Sequence, residues 1–328
     1  MENADIRLGD ALIFNADESS RDFITQWLNS SKFIVVQTSG STGIPKQIKL
    51  LKSDMETSAR ATCRFFNISK GSMLLSPLSA DYIAGKMMIV RAIVSGAKLW
   101  IEKPSNRPIN RDYGTIELLP IVPSQIEAVI NSQYISGIKN IIIGGAEISP
   151  ELELKISKSN ISAYATYGMT ETCSHVALRK IGKSDNTYLA LSHFTFSVDD
   201  RQCLIIKSET MSFKSIITND IVELINEYSF RWLGRFDNVI NTGGVKVFPE
   251  KIEKKIGNLI PLPYYIIGEK DAKWGTKVIL YIEGDEFDTT HLYEKLHPLL
   301  DKYSMPKEIR IVHNFVRTAS GKIKRMLL

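Results

Sequence analysis

TSGSTGIPK, residues 38 to 46, is the stretch on which the reading of this chain turns. It brings together four hydroxyl side chains (Thr38, Ser39, Ser41, Thr42), two glycines (Gly40, Gly43) and a terminal Lys46. Glycine permits the positive φ that turns successive backbone N–H groups inward, and lysine adds a mobile point charge. These are the groups needed to surround a polyphosphate. The Gly-Lys-Ser/Thr ending of a Walker A loop is missing. A plain Ser/Gly turn explains such a composition as well. The stiffening Pro45 and the flanking β-type runs at 33–37 and 47–51 bring the phosphate reading level with it.

Working outward, Phe23, Ile24, Trp27 and Leu28 are spaced as on one face of a helix within 17–30, which feeds the first of those strands. Ser53 and Glu56 have the spacing of a capping box, predicting a helix from there to about Phe66. Apolar β-type runs at Met73–Ser76, Lys98–Ile101, 138–143 and 163–167 alternate with helix-like segments at 85–94, 125–131 and 149–157. That alternation predicts an α/β domain with a largely buried sheet. From Gln202 the texture changes to short Ile- and Thr-rich strands at Cys203–Ser208, 216–218 and 221–225, a β-rich subdomain. Beyond 234–237 a compact α+β unit is expected: helix Pro249–Ile256, strands at 264–268 and 277–282, a helix at 290–302 and strand Glu308–Val312. The division is thus 1–236, a large domain, and 237–328, a small one.

Composition excludes several classes. With 44% hydrophobic and 23% charged residues the chain is globular in type, and no apolar stretch reaches membrane-spanning length. Residues 1–10 lack the apolar core of a secretory signal, so a cytoplasmic location is expected. Cys63, Cys173 and Cys203 are odd in number and widely spaced, which suits buried reduced thiols and neither a disulfide framework nor a zinc site. The net charge of +5 is dispersed except near Lys322, Lys324 and Arg325, with no aromatic-studded basic stripe, so no nucleic-acid partner is expected. Oligomeric state is not legible.

The string at 38–46 resembles the phosphate-loop signature of the adenylate-forming superfamily of acyl-CoA ligases, luciferases and adenylation domains, and other motifs follow in that family's order. Gly144-Gly145-Ala146 is similar to its adenine-binding turn, and Tyr167-Gly168-Met169-Thr170-Glu171 to its YGxTE motif. Thr218-Asn219-Asp220 matches the TGD element with Asn219 in place of glycine. GRFDNVINTGGVKVFPEKIE, residues 234 to 253, resembles the hinge motif, and PKEIRIVHNFVRTASGKIKR, residues 306 to 325, the C-terminal motif. The resemblance runs from about residue 33 to the end. It implies the family's fold, an α/β large domain with a β-rich subdomain plus a small α+β C-terminal domain, truncated at the N-terminus. Only thirty-seven residues precede the loop, so one N-terminal subdomain is expected to be absent or much reduced. A start at Met1 followed by a helix argues for a naturally compact enzyme.

The resemblance also implies a chemistry: an acid and MgATP give an acyl-adenylate and pyrophosphate, and CoA then gives the thioester and AMP. Two anions must meet, so cations, N–H donors and Mg²⁺ are required. On the matching positions Glu171 is the Mg²⁺ ligand, Thr170 donates to the α-phosphate, and Tyr167 packs beside adenine, with Gly168 next to it. Asp220 and Arg235 bracket the ribose. Lys322 reaches over from the small domain to neutralise carboxylate and α-phosphate. Asp237 is the hinge about which that domain rotates, and Gly243, Gly244 and Lys246 then flank the pantetheine arm. Read without the motifs, Glu171 is a surface acid, Tyr167 a core aromatic, and Gly243-Gly244 a turn.

Among the family's subgroups the chain looks most like the 2-succinylbenzoate–CoA ligases of menaquinone biosynthesis. Arg91 has the spacing of their pocket arginine, and Val122-Pro123-Ser124-Gln125 resembles their Val-Pro-Thr-Gln turn. A dicarboxylate needs one carboxylate activated and the other paired with a cation. Arg91 is equally readable as a surface charge on an amphipathic helix. Tyr82 stands where the family usually has a histidine at the mouth of the acyl pocket. Ligation of another aryl or fatty acid, loading of a carrier protein and a non-catalytic adenylate binder remain open alternatives.

Overall fold

The computed structural model describes residues 4–38, 46–159, 161–182, 185–317 and 323–328. Ser39, Gly40, Ser41, Thr42, Gly43 and Lys322 therefore lie outside the described residues, as do the side chains of Thr38 and Lys46.

A nine-stranded sheet forms the spine of the large domain. Its order is Phe194–Val198, Cys203–Ser208, Ser215–Asn226, Ser229–Arg235, Tyr188–Ala190, His175–Lys180, Ser162–Gly168, Asn140–Ile143, Leu119–Ile121. The last three strands run parallel and the others antiparallel. This matches the sequence pattern: Ile141 to Ile143 is a continuous apolar run because both faces of a parallel strand are covered, whereas Ser215–Asn226 mixes buried and exposed positions. The runs at 216–218 and 221–225 are one strand interrupted by irregular register, not two. A second sheet, Ile6–Leu8, Ala11–Phe14, Lys98–Ile101, Met73–Ser76, joins the first through a parallel bridge from Leu74 to Leu118.

Helices Lys52–Phe65 and Ile83–Ser95 pack between the sheets and bury Met55, Ala59, Met87, Met88 and Val90. Full burial of a side chain of that size contributes roughly 1.5–3 kcal/mol. Gly85 admits the loop ahead of its helix, because a Cβ there would lie 2.2 Å from the Ser79 carbonyl oxygen. The expected capping box is not formed. The helix begins at Lys52 with Leu51 at the N-cap and no side-chain cap. One turn inside it, Asp54 accepts instead from the Ser212 backbone N–H at 2.9 Å and from the Ser212 hydroxyl.

From Ile240 onward a separate apolar cluster forms around the three-stranded sheet Tyr264–Asp271, Gly275–Glu283, Glu308–Val312. Helices Pro249–Ile256 and Thr289–Leu296 cover one face. The C-terminal tail covers the other, with Tyr265 donating to the Met326 carbonyl at 2.6 Å. The helix expected at 290–302 ends six residues early. No helix among the described residues is long and apolar enough to cross a membrane.

Candidate active site

The segment expected to hold phosphate lies between two paired strands. Strands Phe33–Thr38 and Lys46–Leu51 pair antiparallel with Thr38 opposite Lys46, so both ends of 39–45 are held together. The second strand of that hairpin runs beside the turn Thr170–Thr172, which carries two of the expected catalytic residues.

That turn is locally strained. Cys173 ends it at φ 64°, a conformation that costs on the order of 1–3 kcal/mol for a residue with a side chain. Buried Thr172 holds it, accepting from the Met169 backbone N–H at 3.1 Å and donating to the Ser174 carbonyl at 2.7 Å. Gly168 has no substitute here, because a Cβ would meet the Ser174 carbonyl at 2.3 Å. Thr170 is half-buried and Glu171 is exposed. Among the described residues no group of three or more His, Cys, Asp or Glu could hold a metal. A lone carboxylate nevertheless fits Mg²⁺, which typically takes one or two protein carboxylates and fills its shell with phosphate and water oxygens.

Asp220 is buried with both oxygens engaged. Tyr167 donates its hydroxyl to Oδ2 at 2.8 Å and Trp232 its indole N–H to Oδ1 at 3.1 Å. Arg235 lies opposite Asp220 in strand register, with its guanidinium 3.7 Å from Oδ1 and 3.0 Å from Asp237. Burial and the Asp220 charge push the Tyr167 phenol well above its ordinary range, so it stays a donor. A carboxylate has about four acceptor positions, so two remain for a vicinal diol. Tyr167 also meets Tyr188 and Phe230 edge to face, at 5.8 and 5.0 Å between centroids.

A pocket of about 120 Å³ opens beside them. Ala146, Thr166, Tyr188 and Trp232 line it on the large-domain side, and Glu250 and Lys254 on the side of helix Pro249–Ile256. The Gly144-Gly145 turn borders it, with Gly145 at φ 86° and a Cβ on Gly144 excluded by Thr166 Oγ1 at 2.5 Å. Glu147 on this turn is open to solvent at its surface, yet its carboxyl is held up at about 7. Desolvation is the main cause and Glu253 and Glu250 add to it, against Arg325 and Lys254. Arg325 itself is clamped by Glu253 at 2.5 and 2.7 Å. The C-terminal tail is thus held against helix Pro249–Ile256, which lines the pocket.

Arg91 is not a surface charge. It is 2% exposed, its Nη2 donates to Ser174 Oγ at 2.9 Å, and Nη1 reaches Met88 Sδ at 3.4 Å. Its Nε is buried with no hydrogen-bond partner among the described residues. Burial brings the guanidinium down to about 10, the Cys63 thiol opposing. Around it lie Ser58, whose hydroxyl is 3.3 Å from that of Ser174, and His175, whose Nε2 is 3.1 Å from Thr62 Oγ1. Burial and Arg91 depress the His175 imidazole well below its ordinary range, so it is neutral. Sequence reasoning missed this polar cluster. Its one signal was Ser58 and Thr62, four apart on one face of an otherwise buried helix stripe. Tyr82 and Ser124, the other expected acid-site residues, are exposed. Tyr82 is the N-cap of the helix that carries Arg91, nine residues or about 13 Å away along the axis.

In the small domain Gly243 and Gly244, at φ 57° and 80°, form the tip of the hairpin Ile240–Thr242 and Val245–Val247. Both glycines and Lys246 are exposed. Beside Gly243 stand two rings the sequence reading did not single out, Trp274 and Tyr303, at 6.4 Å and nearly perpendicular. Lys307, Lys273 and Lys302 lie 4.7, 5.6 and 5.9 Å from the Trp274 ring. Lys302 and the neighbouring Lys273 help bring Lys307 down, after desolvation.

Comparison with known proteins bears on the family and the fold. The family described as AMP-binding enzyme matches residues 7–210. A solved structure described as an acyl-CoA synthetase (AMP-forming)/AMP-acid ligase II-like protein from Dyadobacter fermentans is 32% identical, with a TM-score of 0.63 over 94% of this chain and 91% of that one. The o-succinylbenzoate CoA synthetase of Bacillus subtilis, solved with its acyl-adenylate, is 21% identical, with a TM-score of 0.76 over 89% of this chain and 67% of that one. A 2-succinylbenzoate–CoA ligase of Listeria innocua is 26% identical over 93% of this chain and 71% of its own length. The chain belongs to the AMP-binding enzyme family and has the adenylate-forming fold. As such it is an AMP-forming acid–CoA ligase, and it works with ATP, Mg²⁺ and CoA.

Proposed function

We propose that the acid is a dicarboxylate of the 2-succinylbenzoate type, made into its CoA thioester through an acyl-adenylate. The observation that carries this is Arg91, a buried cation that no described carboxylate pairs with, hydrogen-bonded to Ser174 two residues past the turn that bears Glu171. An uncompensated buried charge costs on the order of several kcal/mol, a cost that a carboxylate arriving with the substrate offsets. The names of the relatives support the same acid.

In this reading adenine occupies the pocket between the Gly144–Ala146 turn and Trp232. Its ribose hydroxyls donate to the two acceptor positions left on Asp220, with Arg235 alongside. The hairpin loop ending at Lys46 wraps the β- and γ-phosphates, and Thr170 donates at the α-phosphate. Glu171 would hold Mg²⁺, which supplies charge neutralisation at the phosphates. Lys322 closes over the reacting carboxylate from the small domain, residues 237–328, which moves as a unit on the 1–236 body. Tyr82 and Ser124 then belong to the mouth of the acid site. The test is acid-dependent release of AMP in the presence of CoA. Turnover with 2-succinylbenzoate should exceed that with benzoates and fatty acids, whereas turnover only with a monocarboxylate would defeat the assignment.

The Trp274 ring, Tyr303 and three lysines beside the Gly243-Gly244 tip suit the nucleotide end of CoA, which presents a base to stack and phosphates to neutralise. Stacking on an aromatic is worth roughly 1–3 kcal/mol. Trp274→Ala should therefore raise the KM for CoA by about tenfold and leave acid-dependent pyrophosphate exchange at the wild-type rate, because that exchange needs no CoA.

A further inference from the structure

Among the described residues, one stretch of backbone, residues 236–239, links the two apolar bodies: the clusters on one side end at Phe230, and those on the other begin at Ile240. The linker is gripped from the large domain at two places. Asn219, whose position is glycine in the TGD pattern, donates its amide to Asp237 Oδ2 at 3.3 Å, the same oxygen that Arg235 holds at 3.0 Å. Arg201 stands behind it. Its Nη1 donates to Asn219 Oδ1 at 3.2 Å, its Nη2 to the Thr218 carbonyl at 3.5 Å, and its guanidinium lies 5.0 Å from the Phe236 ring centroid. Asp199, paired with Arg201 at 2.8 Å, fixes that guanidinium in place.

Asn219 and Arg201 thus touch the two linker residues Phe236 and Asp237 and belong wholly to the large domain. In this arrangement the tail is held through Arg325 to Glu253 on helix Pro249–Ile256, which lines the pocket together with Ala146 and Glu147, while Gly243 and Gly244 are open to solvent. We propose that Asn219 and Arg201 are positioning residues that clamp the linker and favour the domain orientation used for adenylation over the one used for thioester formation. The inference rests on the two-step reading above. A glycine in place of Asn219 offers no amide to the linker carboxylate, so the clamp distinguishes this chain from the pattern it otherwise follows.

The bond is solvent-exposed, so its loss should shift a balance without abolishing activity. In Asn219→Ala, acid-dependent pyrophosphate exchange should fall about two- to fivefold while thioester formation from supplied acyl-adenylate and CoA is undiminished. Arg201→Ala should do the same, and the double variant should lose less than the product of the two, because both act through one contact. Asn219→Gln, which keeps an amide, should recover part of the exchange rate. Spin labels at Lys207→Cys and Lys295→Cys report the orientation directly, with a second distance expected to gain population in Asn219→Ala. Equal loss in both half-reactions, or an unchanged ratio and distance distribution, would overturn the clamp. A single distance in the unsubstituted protein, with and without acyl-adenylate and CoA, would instead overturn the rotation on which it depends.

Discussion

Arg91→Met should lower kcat/KM for 2-succinylbenzoate by about a hundredfold or more while leaving the protein as stable as before, or more so. Truncating one partner of a buried charge pair costs about 2–5 kcal/mol in binding, and here the partner is supplied by the substrate. For the free enzyme the argument runs the other way. The guanidinium is buried with an unsatisfied Nε, next to Met88 and a neutral His175, and no described acid compensates it. Replacing such a charge by an apolar side chain of similar length is often neutral or stabilising. The checks are steady-state kinetics on the dicarboxylate and a thermal melt. A fall in melting temperature of the size expected for a broken core, together with activity loss on every acid, would show that Arg91 serves the fold rather than the substrate.

Lys322→Ala should slow adenylation by about a hundred- to a thousandfold and leave thioester formation from supplied acyl-adenylate near the wild-type rate. Removing one preorganised charge-stabilising donor costs on this order when charge develops next to it in the transition state. Lys322 lies outside the described residues, but its flanks are placed. Arg317 and Ile323 form an antiparallel bridge that brings the two ends of the segment together, and Arg325 just beyond it is clamped by Glu253 on the helix that lines the pocket. A lysine on that segment would serve the first half-reaction, where two anions meet, and would have no charge to neutralise in the second. Single-turnover measurement of each half-reaction separates them, and equal loss in both would defeat the assignment.

Much of the architecture was legible because each signal was local. Phe23, Ile24 and Trp27 share a buried helix face as their spacing predicts, whereas Leu28, expected on the same face, is exposed at the last helical position; the runs Met73–Ser76, Lys98–Ile101 and Cys203–Ser208 are strands at the predicted bounds. Failures came where a tertiary partner outbid a local preference. Ser53 and Glu56 spell a capping box, but pairing of the preceding strand with Phe33–Thr38 carries the chain to Leu51 and the helix starts at Lys52, so Ser53 already lies inside it. Leu119–Ile121 and Ile6–Leu8 are three-residue strands that exist only through their sheet neighbours, so no periodicity could announce them.

For the site, the order of motifs along the chain determined the class of protein and named the positions 38–46, 144–146, 167–171, 220 and 235 at which a nucleotide would be met. Chain order conveys which groups are available. It carries no information on which groups are desolvated together, because burial is a property of the packed molecule. Only the tertiary structure decided that Arg91 is a buried cation with no carboxylate partner among the described residues, that Tyr167 and Trp232 both serve Asp220, and that Trp274, Tyr303 and three lysines gather beside Gly243. Each of these depends on residues distant in the chain, up to 83 positions apart for Arg91 and Ser174, brought within a few ångströms by sheet pairing and core packing.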